Sequence, residues 1–438
     1  MPSPSWLRAF LVDCGLLLVS GPLLLFPNWF GEWGGPVGVG LLALAWLWRR
    51  WQLGMWARRT PLDWPILFLC LVMLPISLWV APPDLRSELS IPRALILGWD
   101  ICLLYTVTTY AGHSRRLYNL CALGFAASAL AIAIIAFLGT GWASKFPGMT
   151  EVMRQMPTPL LGLFAGAEGG FNPNQVAGAL LYVWPWLLAA SVYYWARRRW
   201  PLAAWSSFTV VLLGLIRVTS QSRGGMVGAG VGVLFLLLFP QRGGRWLLGG
   251  GLLLVGVGLV TVDLPGLTGT LGALLDFKAA DASRSLADRQ EIWQAALQMI
   301  HRFWTTGIGL GTFRRLLYLL APLSIGVPSS DLAHAHNFFL QTGLDLGVPG
   351  LVGMLALYLA AAAQQLSRWR SSASREERLW ALGFLAALLA QSVYSLTDAV
   401  ALGSKPGFLL WFLLALMVTR RHLPHRQRRE PNRWTHRS

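Results

Sequence analysis

Apolar residues run through this chain in long, nearly unbroken stretches, and polar residues are confined to the segments between them. The stretches cover roughly 9–27, 35–48, 62–81, 91–111, 117–139, 176–195, 201–219, 225–239, 246–263, 347–366, 379–399 and 405–419. An α-helix needs ~20 apolar residues to cross a hydrocarbon core, so the pattern predicts about twelve transmembrane helices. One region interrupts it. Segment 264–346 is long and more polar, and within it "SLADRQEIWQAALQMIHRF" (285–303) places Ile292, Trp293, Ala296, Met299, Ile300 and Phe303 at intervals of three and four. That spacing predicts an amphipathic helix, with a cap at Ser285 and Asp288. The expected fold class is an all-α polytopic integral membrane protein with a large, partly helical outer (periplasmic) loop. Four regions follow: a membrane bundle over 1–263, the loop 264–346, C-terminal membrane helices over 347–419 and a basic tail over 420–438.

Composition agrees with a membrane protein. Of 438 residues, 55% are hydrophobic and 13% charged, and the mean hydropathy is +0.52. The 36 Lys and Arg outnumber 19 Asp and Glu, for a formal charge of +17. Such a surplus could suit nucleic acid, but its distribution points elsewhere. Most basic residues fall in alternate short loops, among them "RRWQLGMWARR" (49–59), "HSRR" (113–116), "RRR" (197–199) and "SRWRSSASREER" (367–378), and in the tail from Arg420. This is the charge bias that orients membrane helices. It predicts that both termini are cytoplasmic and that 140–175 and 264–346 lie outside. Cys14, Cys70, Cys102 and Cys121 each sit in an apolar run, which disfavours a disulfide framework or a thiolate zinc site. The N-terminal apolar stretch lacks a clear small-residue cleavage site and is expected to remain as the first helix.

Three segments carry candidate chemistry. In "TSQSRGGMVGAGVG" (219–232), Arg223 stands where an outer loop enters a helix. An arginine beside free helix N-terminal amides can seat a phosphate or diphosphate. The alternative is an interfacial arginine with Gly224 and Gly228 packing helices. Arg217, still inside the apolar run, is a charge that must face a cavity or a partner. Arg289, in "DRQEIW", lies on the amphipathic helix, where local pairing with Asp288 or Glu291 is the simpler role. The third segment is "DLAHAHNFFLQTGLDLGVPGLVG" (331–353). Its "HNFFLQTGLDLG" suits a short interfacial helix broken by "GVPG" before the next span, which would hold His336 at the membrane surface. A neutral imidazole there can take a proton from a hydroxyl. Asp331, His334 and His336 lack a compelling further nitrogen or sulfur ligand, so no metal is expected. "GIGLGTF" (307–313) lacks the last glycine of a dinucleotide loop, and nucleotide binding is rejected.

Together, "SQSRGGMVGAGVGVLF" (220–235), "DRQEIWQAALQMIHRFWTTGIGLGTF" (288–313) and "AHNFFLQTGLDLGVPGLVG" (335–353) resemble the bacterial O-antigen ligase/polymerase superfamily. In the first half of the chain only "FNPNQVAG" (171–178) adds to the likeness. The resemblance implies a membrane glycosyltransferase acting at the periplasmic face of the inner membrane on a glycan carried by polyprenyl (undecaprenyl) diphosphate. By motif position it implies Arg223, Arg289 and His336 as catalytic residues, a metal-independent inverting mechanism and no cofactor. The presence of Asn337 after His336 favours a ligase with lipid A-core or another hydroxyl acceptor. O-antigen polymerase is the alternative, as is an inorganic-carbon (bicarbonate) transporter, a label that some members carry and of which "NPN" is reminiscent. Arg217, Arg93, Asn174, Gln341, Asp398 and His334 are secondary candidates for substrate contact. No nucleic-acid partner is expected.

Overall fold

The computed structural model describes residues 4–26, 29–142, 149–163, 169–241, 243–245, 279–323 and 332–419. Among them every element is helical and no strand occurs. In chain order the longer helices are α1 (Pro4–Leu25), α2 (Gly31–Leu53), α3 (Asp63–Val80) and α4 (Pro83–Ala111), and α5 (Arg115–Gly139). They continue with α6 (Pro173–Leu181), α7 (Trp184–Ala196), α8 (Trp200–Thr219) and α9 (Arg223–Leu238). The last five are α10 (Ala279–Arg302), α11 (Phe313–Leu320), α12 (Phe338–Ser371), α13 (Arg375–Tyr394) and α14 (Phe408–Val418).

Six of these helices are long and apolar enough to cross a membrane: α1, α3, α4, α5, α8 and α12. The pair α6 and α7 makes a seventh if its 46° bend interrupts a single span. That falls short of twelve, for physical reasons. The α9 helix and the segment Lys405–Val418 are apolar but shorter than a span, and α2 and α13 are not among the qualifying helices. The expected span 246–263 and the basic tail lie outside the described residues. Large side chains turned outward, such as Trp64, Trp79, Leu18 and Leu359, suit a lipid-facing surface.

Inside the bundle, α14 is buried on every side from Leu409 to Val418, as expected of a helix that is apolar all round. Glycine lets α9 approach α13 closely. A Cβ on Gly228 would stand 2.5 Å from the Ala390 carbonyl, and one on Gly232 3.1 Å from Ala390 Cβ. The helix-packing reading of "GGMVGAGVG" is therefore met by the geometry. Arg49, counted above as loop charge, is instead fully buried and pairs with Asp13 at 2.7 Å. Its guanidinium also reaches Thr106, so one buried ion pair ties α1, α2 and α4 together.

Two sequence boundaries move. Helix α10 starts at Ala279, so Ser285 and Asp288 lie within it and do not cap it. Its buried face still includes Ile292, Ala296 and Met299. Helix α13 ends at Tyr394, where the sequence predicts a span running to 399. Asp398 consequently sits in a turn beyond the helix. The expected break after "HNFFLQTGLDL" is present: Gly347, with φ 71° and ψ 176°, interrupts α12. A Cβ there would meet the backbone of Thr305 at 2.7 Å, so only glycine fits.

Candidate active site

Residues 332–337 form an irregular segment leading into α12, and His336 takes a left-handed conformation with φ 47°. A bulky residue rarely adopts it, and the cost is about 1–3 kcal/mol. Local bonds hold it. The His336 amide donates to His334 Nδ1 at 3.2 Å, and the Phe338 amide donates to the Ser395 carbonyl at 2.9 Å. Asn337 caps α12 by accepting from the Phe339 and Leu340 amides, and its side-chain amide donates to the Leu396 carbonyl. Segment 332–337 is thereby stitched to the 394–398 turn.

That turn carries Asp398, which is 2% exposed. Its Oδ1 lies 3.3 Å from His336 Nδ1 and 3.7 Å from His334 Nε2. A carboxylate accepts, so His336 carries its proton on Nδ1, and Nε2 keeps a lone pair. Burial pushes the Asp398 carboxyl up. The His336 hydrogen bond and the charges of His334, His336 and Arg289 outweigh burial and hold it below its usual range.

His334 is a different kind of residue. Burial pushes its imidazole down to about 4, against the upward pull of Asp398, so it is neutral near pH 7. Its Nδ1 accepts from the His336 amide, so the proton sits on Nε2; that nitrogen lies 2.8 Å from the Gln175 side-chain amide nitrogen, and the amide must turn over to accept through its oxygen. Gln175 was not singled out from sequence. It follows the "NPN" turn, in which Asn172 caps α6.

His334, His336 and Asp398 place their ligand-type atoms within 4.8 Å of one another. Any metal there would require His334 to give up one of its two hydrogen bonds. Asp331, the third member of the cluster considered from sequence, lies outside the described residues.

Arg289 and the backbone beside Arg223 reach the same turn from different helices. Arg289, on α10, is half-buried, and its charge acts on His334, Asp398 and Tyr394. Arg223 is exposed and is the first residue of α9, whose cap is Ser222 accepting from the Gly225 amide at 3.2 Å. The next residue, Gly224, packs against the side chain of Thr397, the neighbour of Asp398. Gln221, just before the cap, is again left-handed at φ 50°.

The secondary candidates divide. Arg217 lies apart: it donates to the Gly225 carbonyl at 2.6 Å and stacks 4.8 Å from the Trp184 ring, bracing α9 from behind. Gln341 is scaffold, accepting from the Ala335 amide and donating to Asp345. Asn174 accepts the Tyr394 hydroxyl through its backbone carbonyl at 2.7 Å. Arg93 is held beside Gly311, where a Cβ would stand 2.6 Å from its Cδ. Its charge is felt by both Asp345 and His334, and its Nη1 is buried without a partner. Asp345, which sequence reasoning missed, accepts from the Gly311 amide at 2.9 Å. The "GIGLGTF" glycines thus dock this loop onto α12 and α4, a use unrelated to nucleotides.

Residues 208–355 match a family model described as O-antigen ligase. Over those residues the chain is similar to the O-antigen ligase family. The match begins in α8 and runs through α9, α10 and the first half of α12, so the matched region includes all three motif segments. It supports a membrane glycosyltransferase of O-antigen ligase/polymerase type. No curated protein matches the chain.

Proposed function

We propose that the protein transfers a glycan from a polyprenyl-diphosphate carrier to a hydroxyl of lipid A-core, at the periplasmic face of the inner membrane. The observation that carries this reading is the His336–Asp398 pair at 3.3 Å, with a family match that includes His336 and ends before Asp398. Asp398 fixes the imidazole so that Nε2 can act as a base. The acceptor hydroxyl gives its proton to Nε2 while its oxygen bonds to the anomeric carbon. The bond from that carbon to the diphosphate oxygen breaks, and the diphosphate leaves with the electron pair. Attack opposite the leaving group inverts the anomeric centre.

Arg223 and Arg289 are assigned to the diphosphate. Guanidinium groups pair with phosphate oxygens in a two-pronged way and stabilise the charge that grows on the leaving group. Arg93, whose charge also acts on His334, is a third candidate, and no metal step is invoked.

The test is transfer by purified, folded protein from a lipid-linked glycan to lipid A-core, with and without EDTA. Product formation that survives chelation is expected. Elongation of the carrier-linked glycan without transfer to lipid A-core would assign a polymerase. Activity abolished by EDTA and restored by a divalent ion would overturn the metal-independent mechanism.

A further inference from the structure

Asp100 is fully buried on α4, about 10 Å inward of Arg93 at 1.5 Å per residue. Neither carboxylate oxygen has a hydrogen-bond partner among the described residues. The only basic residue in the adjoining 398–407 segment, Lys405, places its ammonium 4.4 Å from the Phe26 ring centroid. Ser404 Oγ is likewise buried and unpartnered. A buried carboxylate within a membrane span is costly unless a proton, a cation or bound dipoles compensate it.

Geometry around Gly407 brings these oxygens together. A Cβ built on Gly407 would have three oxygens as its nearest neighbours: Ser404 Oγ at 3.4 Å, the Ala401 carbonyl at 3.6 Å and Asp100 Oδ2 at 3.7 Å. All three contacts are of ordinary van der Waals length, so the missing side chain of Gly407 leaves a space bordered by these oxygens, and an ion bound there would sit closer to them than the built Cβ does. One carboxylate, one hydroxyl and one carbonyl form a hard, singly charged donor set. Such a set suits a monovalent alkali cation better than a divalent one, which demands more charge and more ligands.

We propose that Asp100, Ser404 and the Ala401 carbonyl form a buried site for a monovalent alkali cation. The ion braces the segment 398–407 against α4. Gly403 in this segment already packs on the Arg93 backbone, and the segment begins at Asp398. Binding therefore stiffens the support of the His336 partner. The site itself does not depend on the transferase reading, because its readout is binding.

Thermal unfolding of the purified full chain in NaCl, KCl and choline chloride, at equal ionic strength, tests it. Sodium or potassium should raise the melting temperature over choline by roughly 3–4 °C, as ligand linkage predicts for salt at about 10²–10³ times the dissociation constant. Asp100→Asn should remove the increment. Gly407→Ala supplies an independent check, because φ −59° and ψ −26° accept alanine and the methyl intrudes on the space beside the three oxygens while leaving every ligand intact. It should also lose the increment while folding normally in choline. Equal melting temperatures in all three salts, or an increment retained by Gly407→Ala, would overturn the proposal. So would a melt that responds to pH and not to cation, which would identify a protonated Asp100 bonded to water.

Discussion

His336 and Asp398 are separated by 62 positions in the chain, yet Nδ1 of one lies 3.3 Å from Oδ1 of the other. The left-handed backbone at His336 and the turn after α13 both serve this contact. It gives the imidazole a defined tautomer and leaves Nε2 available.

Replacing His336 with Ala should therefore lower transfer by ~10²–10⁴-fold, the usual worth of a general base, while donor binding stays near normal. Asp398→Asn should cost less, about 10–10²-fold. The loss should fall on kcat and leave KM for both substrates near normal, since Asp398 holds the imidazole and is not assigned to either substrate. A rise in KM that accounts for the whole loss would remove Asp398 from this positioning role. The measurement is initial rate against substrate concentration with purified variants.

Arg223 and Arg289 are assigned to a ligand charged in both ground and transition states. Their Ala variants should weaken donor binding and turnover together, by about 10²-fold or more in kcat/KM. Lysine should rescue either site poorly, because an ammonium lacks the planar two-pronged donor. Arg217→Lys separates the roles: Arg217 braces α9 through Gly225 and Trp184, so this variant should lower the melting temperature more than it changes donor affinity. Titration with a lipid-linked donor reads the first effect and thermal unfolding the second.

His334 makes stability depend on pH. Its imidazole is depressed to about 4 in the folded chain, against about 6.5 when unfolded. Between those values the unfolded chain binds the extra proton. Stability is present above pH 6.5 and falls as pH drops towards 4. The loss across the window is of order 2–3 kcal/mol. His334→Gln should flatten the melting temperature between pH 7 and 5, compared with the parent. An equally steep decline in the variant would assign the effect to other groups.

The motif residues were legible because their chemistry is local. An arginine after "SQS", an arginine on an amphipathic stretch and a histidine before a capped helix each stand out against apolar sequence. Asp345, Gln175 and Tyr394 did not. Each touches its partner through the fold: Asp345 meets Gly311, Gln175 meets His334 and Tyr394 meets Asn174. The only sequence signal was polarity inside a hydrophobic segment, which cannot name a partner. The cap assigned to Ser285 failed because the helix already begins at Ala279, which leaves Ser285 in its interior.

Sequence by itself determined the helical class, the membrane character and the amphipathic face of α10. These follow from runs and periodicities of apolar residues, which act over a few turns. It also marked the hinge at Gly347, because glycine beside Val348 and Pro349 limits the backbone locally. Tertiary structure alone decided which charges meet. Asp398 could equally have ended a span, but the close approach of α9 to α13 through glycine, and the bond from Phe338 to Ser395, bring it under His336. In sequence Arg49 reads as part of a basic loop cluster and Arg217 as a lone charge inside an apolar run. One became a buried ion pair and the other a helix brace because a charge in low dielectric must take whatever partner the packing presents.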